Sequence, residues 1–196
     1  YPLYFLDFET QADPVPRLEY LGPYHQYPFQ YSLHIQSSDG TVEHREYLHP
    51  DTSDPRLPLA KSLLEDIGEV GTIIAYNAPF EKRVISELTR QVPKYASRLR
   101  RFKDRFFDLL VIFREFYIDP AFGGSNSIKK VLPVLVPALS YASLEVQSGD
   151  IAQVAWLEMI STESNERRIG LANSLKAYCK LDTLSMVRIL EYLLNE

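Results

Sequence analysis

Cysteine occurs once in the 196 residues, at Cys179. An internal disulfide is therefore excluded, and no Cys/His set exists for a structural zinc. So little cysteine fits a reducing compartment, and a cytoplasmic location is expected. No apolar run approaches the ~20 residues of a membrane span, and no signal peptide is visible, so no membrane partner is expected. Internal repeats, low-complexity tracts and an interdomain linker are all missing. Residues 1–196 thus read as one domain, large enough for a core without staples. An excess of positive charge is missing too: 21 Lys+Arg stand against 26 Asp+Glu, a net charge of −5. That balance argues against a protein that simply coats nucleic acid. The chain opens at Tyr1, directly in a strand and without methionine. It reads as a domain excised from a longer polypeptide, whose other domains are expected partners.

What is present starts with Tyr4-Phe5-Leu6-Asp7-Phe8-Glu9-Thr10, a short aromatic-rich strand. Strand side chains alternate faces, so Asp7 and Glu9 share one side while Leu6 and Phe8 share the other. Two acids on one face of a central strand repel each other and lose hydration unless a cation lies between them. A divalent metal is the simplest such cation, and an edge strand with its acids in water is the plain alternative. Charge is also local: Lys94, Arg98, Arg100, Arg101, Lys103 and Arg105 face only Asp104 over that stretch. Such a strip guides phosphate in a nuclease or forms a solvated helix face.

Along the chain, Gln11 to Pro28 reads as loop, Phe29 to Gln36 as a strand, and Ser37-Ser38-Asp39-Gly40 as a turn into a strand over Thr41 to His49. Leu59 to Ile67 has helical spacing, and Thr72 to Tyr76 is a short apolar strand. Asn77 is expected to cap a helix through Gln91, with Pro79 in its first turn and Glu81 near the positive end of the dipole. Phe106 to Ile118 is apolar with Asp108 embedded. Ser127 is expected to cap a short helix through Leu135. Helices follow over Asp150 to Met159 and over Glu166 to Leu194, the latter interrupted near its start. Strands in hairpin order, then helix, strand and more helices, make an α/β mixed sheet flanked by helices.

Three further groups complete an acid set. Asn77-Ala78-Pro79-Phe80-Glu81 places an acid just inside a helix that follows a strand. Tyr178-Cys179-Lys180-Leu181-Asp182 places Tyr178 and Asp182 four apart on one helix face. Asp108 ends a short strand. Asp-x-Glu on a first strand, Asn-x-x-Phe-acid entering a mid-chain helix and Tyr-x-x-x-Asp in a late helix resemble, in that order, the three exonuclease motifs of the DEDD superfamily. The tyrosine places the resemblance in the DnaQ-like, DEDDy branch. Tyr27-Pro28-Phe29-Gln30-Tyr31-Ser32 and Ser127-Ile128-Lys129-Lys130-Val131 are similar to a bacterial family of uncharacterised DnaQ-like domains.

The resemblance implies an RNase H-like fold, with three antiparallel strands extended by parallel ones, and 3′–5′ exonuclease chemistry on single-stranded DNA or RNA ends with two Mg²⁺ or Mn²⁺ ions. It implies that Asp7 bridges both ions, that Glu9 and Asp182 ligate one, that Glu81 anchors the second through water, and that Tyr178 orients the attacking water. One position departs from the pattern: the second motif normally ends in Asp, and the extra methylene of Glu81 moves the carboxylate by about 1 Å. Substrate contacts are expected from Phe8, Thr10, Asn77, a stacking Phe80, Gln30 and Lys129. Two other readings of the same residues are a non-catalytic RNase H-like module that binds nucleic acid or a partner domain, and a hydrolase of a nucleotide-sized phosphodiester.

Overall fold

A computed structural model describes residues 1–195. Five strands, β1 (Leu3–Ala12), β2 (Gln26–Gln36), β3 (Val42–Leu48), β4 (Thr72–Ala75) and β5 (Phe106–Asp108), form one sheet in the order β3-β2-β1-β4-β5. β1, β2 and β3 are antiparallel neighbours, while β4 joins β1, and β5 joins β4, in parallel. Seven helices flank the sheet: α1 (Arg56–Asp66), α2 (Ala78–Gln91), α3 (Ala96–Phe102), α4 (Leu110–Glu115), α5 (Ile128–Leu135), α6 (Gly149–Ser161) and α7 (Asn165–Asn195). This is an α/β fold with the mixed sheet of an RNase H-like arrangement. No helix is long and apolar enough to cross a membrane among the described residues.

β1 lies third of five, so the plain reading of an edge strand fails. Its alternation divides the core. Tyr4, Leu6 and Phe8 join Leu59, Leu63, Ile85 and Leu88 on the α1–α2 face, and Phe5 joins Leu175, Met186 and Ile189 on the α7 face. Each fully buried side chain of this size contributes about 1.5–3 kcal/mol. β2 changes sides part-way. Glu9 pairs with Gln30 and Thr10 with Pro28, so Phe29 is an extra residue on β2. The bulge puts Tyr27 and Phe29 on the α7 face, although Tyr31 and Leu33, at the same alternation, face α1 and α2. Phe29 then stacks on Trp156 of α6 at 4.5 Å, and the indole Nε1 donates to His49 O at 3.0 Å.

Several boundaries differ from the sequence reading. β1 and β2 extend into the expected loop and leave only residues 13–25 between them. α1 starts at Arg56 because Pro58 sits in the first turn, where its missing N–H is not needed. Phe106 to Ile118 divides into β5 and α4. α7 runs for 31 residues without a break, about 46 Å. Its buried positions Leu171, Leu175, Tyr178, Cys179, Asp182, Thr183, Met186 and Ile189 form one stripe over β1 and β2, with an acid in an otherwise mostly apolar seam. At Gly71, φ is +98° and a Cβ would lie 2.2 Å from Pro2 O, so only glycine fits where the chain enters β4.

The basic strip is largely structural. Arg105 donates to the carbonyls of Gly68, Val70 and Gly71, Arg98 to Leu64 O, and Arg101 pairs with Glu69. These partners lie in or beside the α1–β4 connection, at the end of β4 away from Ala75. The parallel register of β1 and β4 puts Asp7 and Glu9 towards the other end of the sheet, so these three arginines are not placed to guide a strand.

Candidate metal centre

Three separated segments meet above the C-terminal half of β1. Asp7 and Glu9 project from β1 towards α7, as the strand period requires. Asp182 and Tyr178 project back from the seam of α7, and Glu81 arrives from the first turn of α2. Carboxylate oxygens of Asp7 and Glu9 and the Sγ of Cys179 lie within 4.8 Å of one another. Glu9, Glu81 and Asp182 are buried and Asp7 is half-buried.

Burial raises the proton affinity of all four acids, and neighbouring carboxylates raise it further for Asp7, Glu9 and Glu81. Burial, then the charge of Asp182, pushes the Asp7 carboxyl well above its usual range. Burial raises Glu9, followed by Asp7 and Asp182. It also raises Glu81, with Asp7 as the next cause. Asp182 is pushed up to about 6 by burial, against hydrogen bonds from Tyr141 and Tyr178 and the charge of Lys129. For Asp7, Glu9 and Glu81 the shift is the signature of buried carboxylates brought together without enough positive charge.

Neighbouring groups fix the orientation of the acids. Tyr141 OH donates to Asp182 Oδ1 at 2.6 Å. The Cys179 thiol donates to Asp7 Oδ2 at 3.5 Å. Lys129 Nζ donates to Gln147 O at 2.5 Å and Tyr178 OH at 3.3 Å, lying 5.2 Å from the Tyr178 ring centroid. Gln30 Nε2 donates to Leu175 O at 3.0 Å and fixes α7 over the β1–β2 pair.

The donor set fits a hard divalent cation. Glu81 Oε2 is buried without a hydrogen-bond partner, a state that costs free energy unless a cation or water meets it. Oxygen donors predominate, and burial with the Asp7 charge raises the Cys179 thiol well above its usual value. The thiol donates to Asp7, and a donor set made mostly of carboxylate oxygens suits a hard cation better than a soft one. Asp7, Glu9, Glu81 and Asp182 are the residues that would hold such ions.

Not every expected residue comes to this site. Phe8 is 3% exposed on the opposite face of the sheet, edge-on to Tyr31 at 6.3 Å, so its ring cannot stack on a substrate base. Gln30 is 1% exposed with its amide nitrogen committed to α7, so it positions a helix instead of touching substrate. Asn77 precedes α2 at φ 84° without a side-chain cap bond; its backbone N–H donates to Asp108 Oδ1 at 3.0 Å. That oxygen also accepts from Leu110 N at 3.1 Å, so Asp108 braces the turns, and its charge acts on Glu81. Ser127 sits at the cap position of α5, also without a side-chain cap bond. Thr10 is buried beyond the bulge, and Phe80 is half-buried under the Arg83 guanidinium. Lys129 does reach the site. Tyr141 and the Cys179–Asp7 contact escaped the sequence reading: Tyr141 lies in a loop with no motif around it, and a lone cysteine carries no spacing.

Residues 4–127 match the family model described as Domain of unknown function (DUF2779). The chain belongs to this family. The match contains Asp7, Glu9 and Glu81 and ends before Tyr178 and Asp182. The chain is 26% identical over 205 residues to the uncharacterized protein MG366 homolog of Mycoplasma pneumoniae, covering 94% of this chain and 31% of that protein. It is 25% identical over 211 residues to the uncharacterized protein MG366 of Mycoplasma genitalium, covering 96% of this chain and 31% of that protein. The chain thus spans about a third of the length of these curated relatives. No solved structure matches it significantly.

Proposed function

We propose that this chain is a divalent-cation-dependent 3′–5′ exonuclease that hydrolyses phosphodiester bonds at the ends of single-stranded DNA or RNA. The observation that carries this reading is the close pair of Asp7 and Glu9 on β1, with Asp182 of α7 and Glu81 of α2 near enough for their charges to act on it and Tyr178 beside them. Their order along the chain is that of the DEDDy motifs they resemble. When bound, two Mg²⁺ or Mn²⁺ ions would stabilise the attacking and leaving oxygens of an in-line displacement and make water acidic enough to attack.

The chain's own residues divide the remaining work. Asp7, Glu9, Glu81 and Asp182 would hold the ions, and the charges of Asp182 and Lys129 both act on Asp7. Tyr141 and Cys179 hold Asp182 and Asp7 in place, so little reorganisation is needed on loading. Burial and the charge of Asp182 raise the Tyr178 phenol far above neutral pH. Tyr178 thus orients water through a hydrogen bond and does not take its proton. Lys129 places an ammonium beside Tyr178, suited to the charge of a phosphate. The test is release of mononucleotide from a 3′-labelled single strand with Mn²⁺, beside Asp182→Asn. Metal-dependent release that the variant loses supports the reading. Metal binding with no release from DNA or RNA would leave a non-catalytic strand- or partner-binding module.

A further inference from the structure

Further along the elements that carry Glu9 and Glu81, the end of β1 and the later turns of α2 line an open groove. On one side Ala12, at the end of β1, leads into the β1–β2 loop with Tyr20, Tyr24 and His25. On the other, α2 presents Arg83, Glu87 and Arg90. Two clefts of about 370 and 600 Å³ share His25 and Glu87 and so run together. From Arg83 to Gln91 the groove follows about 12 Å of α2, room for roughly three stacked nucleotides.

Its lining suits a polyanion with flat rings. Tyr20 is 95% and Tyr24 70% exposed, Tyr20 being the most exposed large side chain of its kind among the described residues. The loop that carries them is built, not slack. Buried Asp13 accepts from Gln11 Nε2 at 2.9 Å and Tyr27 OH at 2.7 Å, Tyr24 N donates to Asp13 O at 2.8 Å, and Gly22 N donates to His25 Nδ1 at 3.2 Å. Both tyrosines are held at positive φ, 64° and 59°, a conformation tyrosine rarely adopts. Arg83 has no hydrogen-bond or ion-pair partner among the described residues, and its guanidinium lies 5.2 Å from the Phe80 ring centroid. The acid of the groove, Glu87, is paired with Arg90, and Arg56 is paired with Asp54. The unpaired charge left in the groove is therefore positive.

We propose that this groove holds the single strand upstream of the scissile 3′ end, with bases stacked on Tyr20 and Tyr24 and a phosphate on Arg83. The inference rests on the exonuclease reading for placing the 3′ end at the acids. Stacking on tyrosine accepts any base, so the groove selects for strand length and not for sequence.

The test is anisotropy of a labelled single strand of about eight nucleotides, DNA and RNA in turn, with EDTA present to stop cleavage. Tyr20→Ala with Tyr24→Ala is expected to weaken binding roughly tenfold without moving the melting temperature, and Tyr→Phe at both positions to restore it. Arg83→Ala is expected to weaken binding and flatten its salt dependence. A dinucleotide, too short for the groove, is expected to ignore all three changes. Alanine variants that bind like the wild type, or a wild type that binds no oligonucleotide, overturn the groove. Strand shortening with Mn²⁺ by the same proteins separates the two claims. Tyrosine-dependent binding without shortening keeps the groove and sinks the exonuclease; normal shortening with tyrosine-independent binding does the reverse.

Discussion

Tyr141 OH donates to Asp182 Oδ1 at 2.6 Å, linking the loop after α5 to the acid of α7 that completes the cluster. This bond is one of the few forces lowering the proton affinity of Asp182, which burial has raised to about 6. Tyr141→Phe removes the donor and keeps the ring. We expect Asp182 to titrate higher, Mn²⁺ affinity near neutral pH to fall roughly tenfold, and the loss to shrink as pH rises. Calorimetric titration of Mn²⁺ across pH measures all three.

The acid cluster makes the metal-free protein more stable in acid than at neutral pH. Asp182 rises from an ordinary 3.8 to about 6 on folding, so the folded state binds a proton that the unfolded state releases over that window. Its favourable contribution is complete below the unfolded value and is lost as pH rises through 6. Without metal, the contribution of this residue to the melting temperature is expected to fall between about pH 4 and pH 6 and to level off above that. Asp182→Asn should flatten that fall and stabilise the metal-free protein at the upper end by up to about 3 kcal/mol. Mg²⁺ or Mn²⁺ should restore the wild type and do less for the variant.

His34 acts in the opposite sense. Burial, then His44, Lys180 and Arg188, lowers its imidazole to about 4, and its Nδ1 is 2.8 Å from Thr183 Oγ1 under α7. Between about 6.5 and 4 the unfolded state takes a proton that the folded state refuses, so stability from this residue is lost as pH falls through that range. The difference in melting temperature between wild type and His34→Gln isolates it from the acids. That difference is expected to narrow as pH falls, and a constant difference would contradict the assignment.

Arg105, the last residue of the basic strip, is expected to matter for stability alone. It donates to three carbonyls of the α1–β4 connection. Arg105→Ala should cost about 1–2 kcal/mol in denaturant unfolding and leave oligonucleotide affinity unchanged. Weaker strand binding at unchanged stability would return the strip to substrate guidance.

Much of this arrangement was legible in the residues. Period-two alternation placed Asp7 and Glu9 on one face of β1, and helical spacing placed Tyr178 and Asp182 on one face of α7, because both rules are local. That α7 crosses β1 so that the two faces meet depends on contacts between residues far apart in sequence, such as Gln30 with Leu175 O. Only the resemblance to the exonuclease motifs anticipated that meeting. Phe8 and Gln30 were misread for related reasons: Phe8 has the opposite parity to the acids, and Gln30 lies beside a bulge that no local signal announces. The basic strip stays open between strand guidance and a solvated helix face on sequence alone, because charge shows that a residue is polar and not which carbonyl it will meet.

The central claim is tested most directly by a 5′-labelled single strand incubated with Mg²⁺ or Mn²⁺, beside Asp7→Asn. The account predicts a ladder of products shortened from the 3′ end, dependent on metal and reduced at least a hundredfold in the variant. Intact strands, DNA and RNA alike, with saturating metal bound at Asp7, Glu9, Glu81 and Asp182 would contradict it.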